Sequence, residues 1–164
     1  MAPAAALPPA GIPGSEPPNQ QGTDMNTETV VGLDVAEAEF DRFAEAMDLR
    51  VDEAAMDEET KADFKQHKDR FIQAVCAGQL AVNDDGEPVY KLKIPVGDTS
   101  ALTFHEPEGA HYMAMSDGKK KRGDMAQMYA LLAAQCGVHI NVFSKMKNRD
   151  LKMCTSMAAL FTGG

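Results

Sequence analysis

Tryptophan is missing from the 164 residues, and other aromatics are few, with seven Phe and three Tyr. A core built from this chain must therefore lean on aliphatic side chains and on methionine, which occurs 11 times. No run of roughly 18 apolar residues occurs, so no membrane-spanning helix is expected. The opening Met1-Ala-Pro-Ala-Ala-Ala-Leu-Pro-Pro lacks the basic start and unbroken apolar stretch of a secretory signal, which argues against secretion. Cysteine is scarce too. Cys76, Cys136 and Cys154 are odd in number, far apart and set in apolar helical patterns, with no C-x-x-C pair. Buried thiols in a reducing cytoplasm are the expectation.

The motifs of catalysis are also absent. There is no G-x-S-x-G, no P-loop and no G-x-G-x-x-G, so hydrolase, nucleotidase and dinucleotide readings have no support. His105 and His111 bracket Glu106 and Glu108, but the spacing is not that of H-E-x-x-H, and Pro107 and Gly109 interrupt any helix that would align them. His67 and His139 stand alone. The sequence predicts no catalytic residue, no metal site and no cofactor: a protein that binds rather than an enzyme.

Charge is abundant but unevenly placed. The formal net charge is −9. Residues 24–63 carry 14 acidic side chains against Arg42, Arg50 and Lys61, whereas residues 64–164 carry 13 basic against 10 acidic. Such a chain repels phosphate backbones unless its positive charge is gathered in one place. The run Lys119-Lys-Lys-Arg122 is too short, and too poor in neighbouring aromatics, to make a nucleic-acid footprint. The asymmetry points instead to an acidic segment that covers a basic face of its own chain or meets a basic partner.

Three regions follow from the order of residues. Residues 1–29 form a Pro-rich arm, since six of the nine prolines fall in 1–22 with little apolar bulk to offset the cost of ordering. Residues 30–79 form an acidic helical segment. There Asp34 and Glu37 have the spacing of a capping box, and Phe40, Phe43, Ala44 and Met47 follow at helical intervals. A second helix starts near Asp57, carries Phe64, Phe71, Ile72 and Val75, and stops at Gly78. Residues 80–164 form an α+β domain. Leu80–Val82, a turn at Asn83–Gly86, Val89–Ile94 and Thr99–Phe104 make a small antiparallel sheet of two or three strands, with Tyr90, Leu92 and Ile94 on one face. Pro95 is expected to end the pairing of the middle strand. A helical turn around 108–115, a solvated loop at Asp117–Gly123 and helices at 124–136 and from Asn148 or Asp150 onward then pack on the sheet. Helices, then strands, then helices argue for an α+β fold.

Seven methionines lie between 113 and 157. Unbranched thioethers repack against varied apolar surfaces, so Met125, Met128, Met153 and Met157 are the candidate partner-binding residues.

The run Val89-Tyr-Lys-Leu-Lys-Ile-Pro-Val-Gly-Asp98 followed by Leu102-Thr-Phe-His-Glu-Pro107 resembles the tail assembly chaperones of long-tailed phages, Mu-type and related. Leu131-Leu132 with Gly137, Asp150-Leu151 and Leu160-Phe161 occupy positions similar to that family's later motifs, and the likeness spans about 88–164. His105 stands where the pattern often has Arg. The resemblance implies a non-enzymatic chaperone in the host bacterial cytoplasm. Such a protein binds and solubilises the tape-measure protein and helps recruit tail-tube protein, and self-association is compatible with this. The competing expectation is a minor virion structural protein of the tail, neck or capsid.

Overall fold

The computed structural model describes residues 31–49 and 54–162, with the side chains of 117–122 excepted. The expected Pro-rich arm, 1–29, lies outside the described residues. Six helices and one three-stranded sheet are present among them, which is the α+β class expected.

Helix α1 spans Leu33–Ala46 and α2 spans Glu58–Cys76. The α2 start follows local chemistry: Asp57 Oδ1 accepts the Thr60 amide at 2.8 Å, and Glu58 and Glu59 sit at the positive end of the dipole. The α1 start differs from expectation. Gly32, not Asp34, is its cap, and Asp34 lies inside the first turn with no side-chain capping bond. Both helices turn their Phe residues inward. Phe43 stacks on Phe71 at 5.1 Å between ring centroids, and Phe40 meets Phe71 edge-on at 5.2 Å. Phe43 also meets Phe161, near the chain's far end, at 5.4 Å. The acidic helices and the C-terminal helices thus share one core.

Strands β1 (Leu80–Val82), β2 (Pro88–Val96) and β3 (Thr99–Thr103) form an antiparallel sheet in the order β1-β2-β3. Leu80, Tyr90 and Leu102 face one another across it and are all buried. The β1–β2 turn is held by Asn83 Oδ1, which accepts the amides of Asp85 and Glu87. Gly86 in that turn has φ of 82°, and a Cβ there would collide with Ala46, so glycine also lets α1 and the turn approach closely. The free edge of β1 is covered by α1, whose Arg42 donates to the Val82 carbonyl. Alternation on β2 holds for Tyr90 and Leu92 but fails at Ile94, which is half exposed. The cause is a register shift between Lys91 and Val96, beyond which the strand continues through Pro95 and Val96 pairs with Thr99.

Helices α3 (Gly109–Arg122) and α4 (Asp124–Gln135) form a second hairpin around Gly123. The stretch expected as a loop, 117–123, is helical up to Arg122. A short α5 (Asn141–Lys145) leads to α6 (Asn148–Thr162), which packs between α2, α4 and β2.

Candidate functional site

No described cluster of His, Cys, Asp and Glu could hold a metal ion. The histidines have structural surroundings instead. His105 Nδ1 lies 2.6 Å from Glu87 Oε1, and this bond holds the Glu87 carboxyl below its usual range. His111 Nδ1 accepts the Glu108 amide at 3.0 Å in the capping box of α3. His139 accepts the Asn141 amide. His67, half-buried beside Arg70, is pushed below its ordinary value by burial first and by the guanidinium second. Burial likewise pushes the Cys136 thiol up to about 12, which disfavours a reactive thiolate.

The α3–α4 hairpin is the exception to the packed interior. Among its described side chains α3 buries none; it packs mainly on α4, and Tyr112 also borders a groove with Met47, Leu160 and Phe161. Tyr112 and Met113 on α3 and Met125 on α4 are exposed, Met113 at 71%. Met115 and Met128 are half-buried. Leu131, Leu132, Ala133 and Gln135 tie the far half of α4 into the core. The outer helix therefore rides on an anchored one and presents apolar side chains to solvent.

The four methionines expected to bind a partner do not come together on one surface. Met125 is exposed and Met128 half-buried, both on α4. Met153 and Met157 are core residues of α6, at 7% and 0% exposure, so neither presents a broad face to a partner. This corrects the expectation of a single Met face. Helical spacing of methionines is the same whether the stripe meets a client or the protein's own sheet. Tyr112 and Met113, exposed on α3, are not among the residues the sequence pattern singles out for binding.

Asp150 is the other residue whose role the sequence concealed. Its pattern suggests a helix cap, yet its carboxylate is wholly buried and reaches across to the irregular part of β2. Oδ1 accepts the Tyr90 hydroxyl at 2.9 Å and the Lys93 amide at 3.0 Å, and Oδ2 accepts the Ile94 amide at 3.4 Å. Lys93 and Ile94 lie where the β2–β3 register shifts, so Asp150 supplies acceptors there. Burial, and then the neighbouring carboxylate, raise the Tyr90 hydroxyl above its usual range, which keeps it a donor.

Several positions that carry the sequence resemblance are interior: Phe104, Leu131, Leu132, Asp150 and Leu160 are buried, whereas Ile94, Asp98, His105 and Glu106 are exposed. Residues 97–163 match the family of phage tail assembly chaperone proteins, E, or 41 or 14. The match covers β3 through α6, including the exposed hairpin and Asp150. It supports a general role in phage tail assembly and points to a non-enzymatic one. Helices α1 and α2 and strands β1 and β2 lie outside the tail assembly chaperone match but inside the same core. No curated protein and no solved structure gives a match to the chain. No helix among the described residues is long and apolar enough to cross a membrane.

Proposed function

We propose that this protein is a tail assembly chaperone that keeps a long, apolar, helical tape-measure protein dispersed in the host cytoplasm, with the α3–α4 hairpin as its client-contact surface. The observation that carries this reading is the exposure of Tyr112, Met113 and Met125 on a hairpin inside the family-matched residues. Exposed apolar groups gathered on one element mark partner sites more often than they serve stability. Thioethers suit a client whose apolar stripe repeats in many registers, because they adapt without strain. Met128 lies half-buried beside them and can join the contact, while Met153 and Met157 hold the platform. The acidic α1 face keeps the complex soluble through net charge. Recruitment of tail-tube subunits falls to the same complex, and no catalytic step is involved.

The test is co-expression with a tape-measure fragment. Wild type is expected to hold the fragment in the soluble fraction, and Met113→Asp combined with Met125→Asp is expected to release it to the pellet while circular dichroism stays unchanged. A folded double variant that still solubilises the fragment moves the contact elsewhere. Abundant protein in purified particles would favour a structural component of the virion over a chaperone.

A further inference from the structure

A cleft of about 350 Å³ lies between α2, β2 and the start of α6, floored by Tyr90 and Met153. Four cations line it: Arg70 from α2, Lys93 from β2, and Arg149 and Lys152 from α6. Among the described residues none of the four has a carboxylate within ion-pair distance. Arg70 is held in place, since its Nη1 donates to the buried Ser156 Oγ at 2.9 Å. Arg149 and Lys152 stand in the first two turns of α6, at the positive end of its dipole, where cations are unfavourable unless an anion joins them. Asp150, the acidic residue of that first turn, is buried and accepts from the Tyr90 hydroxyl and the Lys93 amide, two residues of the cleft wall. The cleft thus sets four cations against one buried carboxylate, a net positive patch on a chain of net charge −9.

The complementary surface is on the same molecule. Asp34, Glu37, Asp41 and Glu45 recur at intervals of three or four along α1 and are all exposed. Glu37 shares a groove with Lys61 and Lys65 of α2, and Asp41 and Glu45 share another with Lys68. No ion pair under 4 Å joins these carboxylates to those lysines among the described residues. Arg42, the basic residue of α1, is already engaged with Glu39 at 2.8 Å.

We propose that the cationic cleft is a docking site for carboxylates, and that its occupant is the acidic face of α1 on a second copy of this chain. The two surfaces differ, so the contact pairs unlike faces: the stripe of one copy fills the cleft of another, reciprocally about a two-fold or head-to-tail in a longer assembly. Exposed charge pairs are individually weak and salt-screened, so this association is dynamic. A nucleic acid is the poorer occupant, because the net negative charge repels a phosphate polymer and the buried Tyr90 offers no stacking platform.

Sedimentation velocity on the full chain over a concentration series tests this through charge reversal at exposed positions. Wild type is expected to associate, with the apparent affinity falling about tenfold or more between about 50 and 500 mM salt. Arg149→Glu with Lys152→Glu is expected to be monomeric, and so is Asp41→Lys with Glu45→Lys. Circular dichroism of each confirms folding. Mixing the two variants is expected to restore association, because a reversed stripe meets a reversed cleft and a native stripe meets a native cleft. A wild type that stays monomeric at low salt overturns the proposal and leaves the cleft to an acidic segment of some other protein. Association that ignores the reversals overturns it as well, and so does a mixture that remains monomeric.

Discussion

The molecule contains two helical hairpins that use apolar residues in opposite ways. In α1–α2 the aromatic side chains are interior: Phe40, Phe43, Phe64 and Phe71 interlock, and Phe43 reaches Phe161 on α6. The outward face of α1 is mostly charged, with Leu33 and Val35 exposed in its first turn. Among the described side chains of α3–α4, only those in the far half of α4 are interior, and Tyr112, Met113 and Met125 are exposed. One hairpin is stability with a charged exterior. The other is an anchored helix carrying one that contributes little to the core. The same fold thereby separates the residues that hold it together from those available to a partner.

The largest effect that would break this contrast is at Phe43, which is fully buried between Phe71 and Phe161. Phe43→Ala is expected to lower stability by about 3–5 kcal/mol in denaturant melts. A loss below about 1 kcal/mol would show that the acidic hairpin is an appendage. Leu132→Ala is expected to cost about 2–5 kcal/mol, since this residue is the anchor of α4 and has no exposed surface. A mild result there would remove the distinction drawn between α3 and α4.

Asp150→Asn sharpens the account of the sheet. The substitution leaves a neutral acceptor where a carboxylate took the Tyr90 hydroxyl and the Lys93 and Ile94 amides. A loss of about 1.5–3 kcal/mol is expected, the usual range for hydrogen bonds to a charged group. Unchanged stability would mean that the three bonds add nothing beyond what water provides in the unfolded chain. By contrast, Met113→Ala and Met125→Ala should each shift stability by no more than about 0.5 kcal/mol, as expected of exposed side chains. A larger loss would place them in the core and not on a contact surface.

The smallest effect is a pH dependence. The His67 imidazole lies below its ordinary value of 6.5 because burial and Arg70 favour the neutral ring. The unfolded chain therefore binds a proton first as pH falls, and the stability associated with the neutral ring is full above pH 6.5 and lost as pH falls through the folded value. Melts of wild type and His67→Gln should diverge least near neutrality and respond differently to acid. Parallel curves would assign the acid response to other groups.

Much of this was legible in the sequence where local chemistry decides. Asp57 and Gly78 bound α2, Asn83 and Gly86 make the hairpin turn, and the Phe pattern of α1 and α2 reads directly as a buried stripe. Legibility failed where the deciding partner is distant in sequence. Asp150 has the spacing of a cap, but its partners at 90, 93 and 94 lie nearly 60 residues upstream. Met153 and Met157 share the periodicity of a binding stripe, and only the packing of α6 between α2 and α4 shows that they are interior. Ile94 followed the alternation of its strand until the β2–β3 register slipped. The family resemblance was readable for a related reason. Its apolar anchors, Leu102, Phe104, Leu131, Leu132 and Leu160, are core positions that report the fold, whereas the exposed α3 helix carries weaker patterning.

The central claim, that the α3–α4 hairpin and not the acidic hairpin meets the client, is tested most directly by amide hydrogen exchange with and without a bound tape-measure fragment. Free protein should exchange faster in 109–122 than in α2, because a helix with no buried side chain among those described opens locally at low cost. On binding, protection is expected to rise in 109–128 and to stay unchanged in 58–76. Protection that appears in α1 and α2 while 109–128 remains fast would contradict the account.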